Sequence, residues 1–212
     1  MNIIKLTKRN SIKIVILICT LLLSANSKAD SPLTSTDFYK AYETLGIVKS
    51  TQRMGAINEE MMQFLTNPSE PIAVKLALIN KLGWDISGKN NAHIFLQFMQ
   101  KNKGYKTENE FIENGKGYDL ICYAYLKAMD DYFDVKEALI IAKKASEKEP
   151  KSFSVNFISK LIYAQDMLYE DQCKVYQSVI NVRENETLIV DMKQDAIEIV
   201  FEYMNIYKKY CN

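Results

Sequence analysis

Glycine and proline are scarce in this chain, 7 and 4 of its 212 residues. Sandwiches and barrels of β-strands need a turn roughly every 8–12 residues, and these are the residues that usually make one. Their scarcity argues against an all-β design. Histidine and tryptophan occur once each, as His93 and Trp84. A lone histidine with no Cys, His, Asp or Glu at ligand spacing does not make a zinc site. There is no glycine-rich phosphate loop and no Gly-x-Ser-x-Gly elbow. Carboxylates are plentiful, but Glu59-Glu60, Asp119 and Asp130-Asp131 read as helix caps and solvated faces. No enzyme activity, catalytic residue, metal ligand or cofactor is expected.

A bilayer-spanning run is also missing. The apolar stretch Ile14 to Leu23 falls well short of the ~20 residues a transmembrane helix needs. Lys5, Lys8, Arg9 and Lys13 precede it, and Ser27-Lys28-Ala29 places small residues where a signal peptidase cuts. Residues 1–29 are therefore expected to be a cleaved secretory signal. Residues 30–212 would be the mature protein, one soluble all-helical domain in the periplasm or secreted, with no transmembrane segment. Removing the leader takes five basic residues and no acid, leaving 22 Lys and Arg against 26 Asp and Glu. A net charge of −4 gives no footprint for nucleic acid and little attraction to anionic lipid. Proteins or small molecules remain, with another protein or an extended peptide as the leading expectation.

Cysteine is sparse as well. Cleavage leaves Cys122, Cys173 and Cys211, and an oxidising compartment favours one bond plus a free thiol, with three ways to choose the pair. Cys173 with Cys211 is the leading choice, since both lie in the C-terminal unit. A tight turn near Asn185 and a straight final helix would leave them ~20 Å apart along the axis, so this bond requires the last helix to bend or fray. Cys122, with Ile121 and Tyr125 as neighbours on a buried-looking helix, reads as inert core.

What the chain does have is hydrophobic residues recurring at spacings of three and four. Phe38, Ala41, Tyr42, Leu45 and Val48 predict one helix, capped by Thr36 or Asp37. Met54, Ile57, Met61, Phe64 and Leu65 predict a second, with its methionines filling core. Ile72 to Leu82 is apolar around most of its circumference, opened by Pro71 and ended by Gly83, which predicts a helix buried on several sides. In the loop Trp84 to Asn91, Trp84 is expected to plug a gap between hairpins and Asn90 or Asn91 to cap the next helix. The alternative is a small-ligand or hydrolase pocket using Trp84, Asp85, Lys89 and His93. Residues 101–117 read as polar connector and breaker, a place for a subdomain boundary. Ile189, Met192, Ala196, Ile199, Tyr203, Ile206 and Tyr210 form a heptad-like seam on a helix over 187–210. That helix is expected to cap the array, with a homodimer through it as the alternative.

The clearest unit is 119–150. Val135, Ala138, Leu139, Ile141, Ala142 and Ala145 share a face opposite Lys136, Glu137, Lys143, Lys144, Glu147 and Lys148, with Asp134 as cap and Pro150 as terminator. Leu120, Ile121, Ala124, Leu126, Ala128 and Met129 line a partner helix. Ala138, Ala145 and Pro150, preceded by Lys136-Glu137, resemble the tetratricopeptide repeat (TPR), a helix-turn-helix unit of about 34 residues. The small residue of its first helix corresponds to Ala124 if the turn is one residue longer than usual; without that shift Leu126 holds the position. The resemblance implies an all-α fold of antiparallel helical hairpins, stacked as a short TPR-like α-solenoid over about 118–182 or as a compact helical array. It implies a scaffold or adaptor role in the cell envelope, with Tyr123, Lys127, Asp130, Gln165 and Asp166 facing outward to bind protein. The alternative is a periplasmic immunity or inhibitor protein acting on a secreted toxin.

Overall fold

The computed structural model describes residues 30–211; the leader expected at 1–29 lies outside them. From Ser31 on, the described residues form one compact unit. Helices α1 (Gly46–Ser50), α2 (Glu59–Thr66), α3 (Ile72–Leu82), α4 (Asn91–Lys103) and α5 (Glu108–Asn114) occupy its first half. Helices α6 (Gly117–Asp130), α7 (Lys136–Lys148), α8 (Phe153–Asp166), α9 (Gln172–Arg183) and α10 (Gln194–Met204) follow. Two 3₁₀ turns, Phe38–Tyr42 and Asn205–Tyr210, stand at either end. No described residue belongs to a strand; the β-type contact recorded is a parallel bridge between Ser152 and Ile189. The fold is all-α.

Two helices carry the core. In α3 every residue but Lys81 is buried, including Lys75 and Asn80. Each of these polar groups has a partner, as burial demands. Lys75 Nζ donates to the Asn67 carbonyl at 2.7 Å, and Asn80 bridges Tyr39, Thr36 and Tyr125. Gly83 ends α3 with φ 61°, a left-handed conformation that costs glycine nothing. The second core helix, α6, buries Leu120 to Leu126 without interruption and packs on α3, α4, α7 and α8. Its closest partner is α7, whose buried face is Ala138, Ile141, Ala142 and Ala145. Those three alanines let the two backbones approach. Consecutive contacts α6 to α7, α7 to α8 and α8 to α9 stack the hairpins in chain order.

Several elements differ from the pattern read in the sequence. The helix expected over Phe38 to Val48 is broken into the 3₁₀ turn and α1, with Leu45 extended between them. Tertiary hydrogen bonds hold the break: the Tyr39 amide donates to Asn80 Oδ1 at 2.9 Å, and Tyr42 Oη accepts the Lys193 amide at 2.8 Å. Met54 lies outside α2 in a left-handed conformation, exposed; α2 starts only after Asn58, whose side chain accepts from the Met61 amide. Asn90 does not cap α4, and Asp134 gives α7 no cap beyond a 3.3 Å contact to the Lys136 amide. Within 101–117, α4 runs on to Lys103 and α5 forms around buried Phe111, capped by Thr107.

The end of the chain differs most. Residues 184–193 are loop, pinned where Asp191 accepts from the Ser154 amide at 2.7 Å and where the Ser152–Ile189 bridge forms. The following helix, α10, buries Ala196, Ile197, Val200, Phe201 and Met204, with Tyr207 beyond it. Of the expected seam only Met192 and Ala196 are buried; Ile189, Ile206 and Tyr210 are exposed. A seven-residue repeat drifts from the 3.6-residue turn of a straight helix. This helix follows the straight one, and its face packs on the 3₁₀ turn Phe38–Tyr42.

Candidate functional site

The α6–α7 hairpin, α4 and α5 enclose a groove of about 630 Å³. It collects Tyr123, Lys127 and Asp130 from α6, His93 from α4, Glu108 from α5 and Glu137 from α7. Their positions follow from helical spacing: 123, 127 and 130 are four and three apart and share one side of α6. The sequence reading brought Tyr123, Lys127 and Asp130 together, and they do meet here. It missed Glu108 and Glu137, which give Lys127 its electrostatic setting. Glu137 stands in the Lys136-Glu137 pair, and its position in the first turn of α7, opposite the end of α6, was the available signal.

Lys127 sits between two carboxylates, 2.8 Å from Glu137 and 3.7 Å from Glu108. Burial alone pulls its ammonium down, but the bond to Glu137 and the charge of Glu108 outweigh that and raise its pKa. Lys127 therefore stays a cation. Tyr123 is not the outward aromatic expected: it is 2% exposed, its ring packed with Phe95 and Phe111. Only the phenol reaches the groove floor, donating to Glu108 at 2.7 Å. Burial, then the bond to Glu108, pushes the phenol pKa up, so it remains a donor.

Asp130 is likewise structural rather than outward. Only 8% exposed, it accepts the Ala92 amide through Oδ2 and so caps α4, while no hydrogen bond reaches Oδ1. Burial raises its pKa to about 6, opposed by the Ala92 amide and by Lys89. Lys89 is lowered by its own burial, and its Nζ donates to the Leu82 carbonyl. Gln165, also expected outward, is buried. Its Oε1 accepts the Leu33 amide at 3.4 Å and its Nε2 donates to the Tyr132 carbonyl at 3.0 Å. A long carboxamide at the end of α8 can satisfy two backbone groups at once, and here that use wins. Asp166, the last residue of α8, is half-buried and outside the groove.

The Trp84 to His93 loop does not converge on a pocket. Trp84 is half-buried with its ring against Tyr132, centroids 5.0 Å apart. Asp85 folds back onto the Ser87 amide at 2.8 Å. Only Lys89, Asn90, Ala92 and His93 reach the groove. A second cleft, about 470 Å³ between α8 and α9, is lined largely by carboxamides and lysines and contains none of the expected protein-binding residues. Among the described residues no group of three or more His, Cys, Asp or Glu is arranged to hold a metal ion. No described helix is long and apolar enough to cross a membrane.

Cys173 and Cys211 are joined as a disulfide, with Cα atoms 4.8 Å apart, and Cys122 is free and buried. The path that brings them together differs from the tight turn and bent or frayed helix expected. The long 184–193 loop delays the last helix, and the chain tightens into a 3₁₀ turn at Asn205 before reaching α9.

Fold and groove define a class: an all-α array of packed helices with a polar, charged groove beside its central hairpin. No protein-family model, no curated protein and no solved structure matches the chain.

Proposed function

We propose that this is an exported helical protein that works by binding another protein, a TPR-like scaffold or adaptor of the cell envelope. The observation that carries the reading is the groove, where Lys127 is held between Glu108 and Glu137 with His93 exposed opposite. Such a surface offers charges of both signs and polar side chains, the chemistry of peptide recognition. The hairpin order of α6 to α9 and the close α6–α7 packing support a repeat-like stack. Export rests on the leader at residues 1–29, and the periplasm is the proposed compartment.

The test substitutes His93→Ala and Lys127→Ala together, leaving the core untouched. Affinity capture from a cell-envelope extract should lose its partner while the melting temperature stays within a few degrees. Undiminished capture by the folded variant would remove the groove from the reading.

A second reading, an immunity or inhibitor protein against a secreted toxin, is favoured by one feature. The first 3₁₀ turn packs on α10, with the Lys193 amide donating to Tyr42 Oη, so the described chain closes on itself instead of extending as an open solenoid. A deletion strain that shows sensitivity to sibling or rival cells would support this reading over a scaffold role.

A further inference from the structure

Three turns meet at one end of the array. The α6–α7 turn and the α8–α9 turn share it because alternate hairpins point the same way, and the α3–α4 loop joins them through Lys89, whose amide donates to the Asp130 carbonyl at 3.0 Å. Tyr132 ties all three together. Its ring lies between those of Trp84 and Phe133, at 5.0 and 4.2 Å, and its carbonyl is held by Gln165 at the end of α8.

On this fixed base two aromatic rings project into solvent, Phe133 at 71% exposure and Tyr169 at 90%, and Ile86 of the α3–α4 loop is also exposed. Turns usually carry polar residues at such positions, and large exposed apolar groups clustered together mark interaction surfaces. Their surroundings are mainly acidic; Lys174, just beyond the third turn, is paired with Asp171 at 3.2 Å. Segments 84–90, 130–135 and 166–171 hold seven acidic residues, of which Asp130 is buried, and one lysine. That lysine, Lys89, is turned inward onto the Leu82 carbonyl. Asp131 spends one oxygen on the Phe133 and Asp134 amides, which fixes the turn yet leaves its charge exposed.

We propose that this end is a docking surface for a basic segment of a protein partner, one rich in lysine or arginine. Exposed aromatic faces bind guanidinium and ammonium groups, and the ring of carboxylates supplies both attraction and steering. The same carboxylates repel an anionic membrane surface. Rigidity helps, since the turns are ordered before the partner arrives. The proposal rests on the protein-binding reading and adds the chemistry of the partner.

The experiment uses residues 30–212 and fluorescein-labelled deca-arginine, read by fluorescence anisotropy at low salt and at 0.5 M salt. Binding should be saturable and weaken with salt, and decaglutamate should not bind. Phe133→Ala with Tyr169→Ala changes no charge and removes two largely exposed rings, yet should weaken deca-arginine about tenfold. Asp131→Asn, Asp134→Asn and Glu170→Gln together should weaken it and flatten its salt dependence. Equal binding by the aromatic double variant would overturn the proposal, as would equal affinity for decaglutamate. Two other outcomes would also overturn it: preferential binding to phosphatidylserine-containing vesicles, or self-association abolished by the same substitutions. The His93→Ala, Lys127→Ala groove variant should bind deca-arginine normally. If deca-arginine never binds but envelope capture still depends on the groove, the protein-binding reading survives and this inference falls.

Discussion

Asp130 Oδ2 accepts the backbone amide of Ala92 at 2.7 Å, so the last residue of α6 caps the first turn of α4. Residues local to α4 do not perform this task. Asn91 is diverted to accept the Ile57 amide at 2.9 Å, and Asn90 makes no cap bond. A buried helix start must find acceptors somewhere, and this one finds them 38 residues away.

The cap has a signature in pH. Burial raises the Asp130 carboxyl from its ordinary 3.8 to about 6 in the folded protein. Between those values the folded chain holds a proton that the unfolded chain releases. Its contribution to stability is therefore present below about pH 4 and lost as pH rises through about 6, a change of at most about 3 kcal/mol. Asp130→Asn keeps the cap acceptor and removes the titration. Urea unfolding between pH 4 and 7 should show parent stability falling relative to this variant; parallel profiles would contradict the assignment.

Asn80 makes three buried hydrogen bonds, to the Tyr39 amide, the Thr36 carbonyl and the Tyr125 phenol. Asn80→Leu fits the volume but strands two backbone groups, and should cost roughly 2–4 kcal/mol. Tyr125→Phe removes only the third bond and should cost about 1 kcal/mol. Denaturant melts of both variants check the ratio.

The disulfide between Cys173 and Cys211 spans 38 residues. By loop-closure entropy its loss should destabilise residues 30–212 by about 4 kcal/mol, seen as a lower denaturant midpoint for the Cys173→Ser, Cys211→Ser variant. Cys122 is buried, and burial pushes its thiol up to about 12. A thiol reagent should find no reactive group in the native domain and one after unfolding without reductant.

Two glycines should respond in opposite directions to alanine. Nothing lies within 4 Å of a Cβ at Gly46, the first residue of α1, so Gly46→Ala should stabilise by about 0.5–1 kcal/mol. At Gly115 a Cβ would stand 2.6 Å from the Phe111 carbonyl and 2.8 Å from its ring, so Gly115→Ala should cost roughly 1–3 kcal/mol. Thermal melts of the pair would show whether the α5–α6 turn is as tight as described.

Much of the fold was legible in the sequence because helical periodicity is a local property. Residues 72–82 were apolar around most of their circumference and form a helix buried on nearly every side; the alanines of 138–145 do face the helix before them. The candidate site was legible only in part. Positions 123, 127 and 130 fall on one side of α6, yet two of the three proved buried, and Gln165 was drawn inward by two backbone groups. The exposed rings at 133 and 169 could have been noticed as aromatics inside acidic turns.

The sequence by itself determined that this chain is built of helices, and roughly where most of them lie, since turn-to-turn spacing of apolar residues depends on neighbours four positions away. Tertiary structure alone decided which polar side chains were consumed inside, where the first helix breaks and which face of the last one is covered. Those outcomes turn on partners tens of residues distant, and a buried amide or carbonyl takes whichever partner the packing brings within reach.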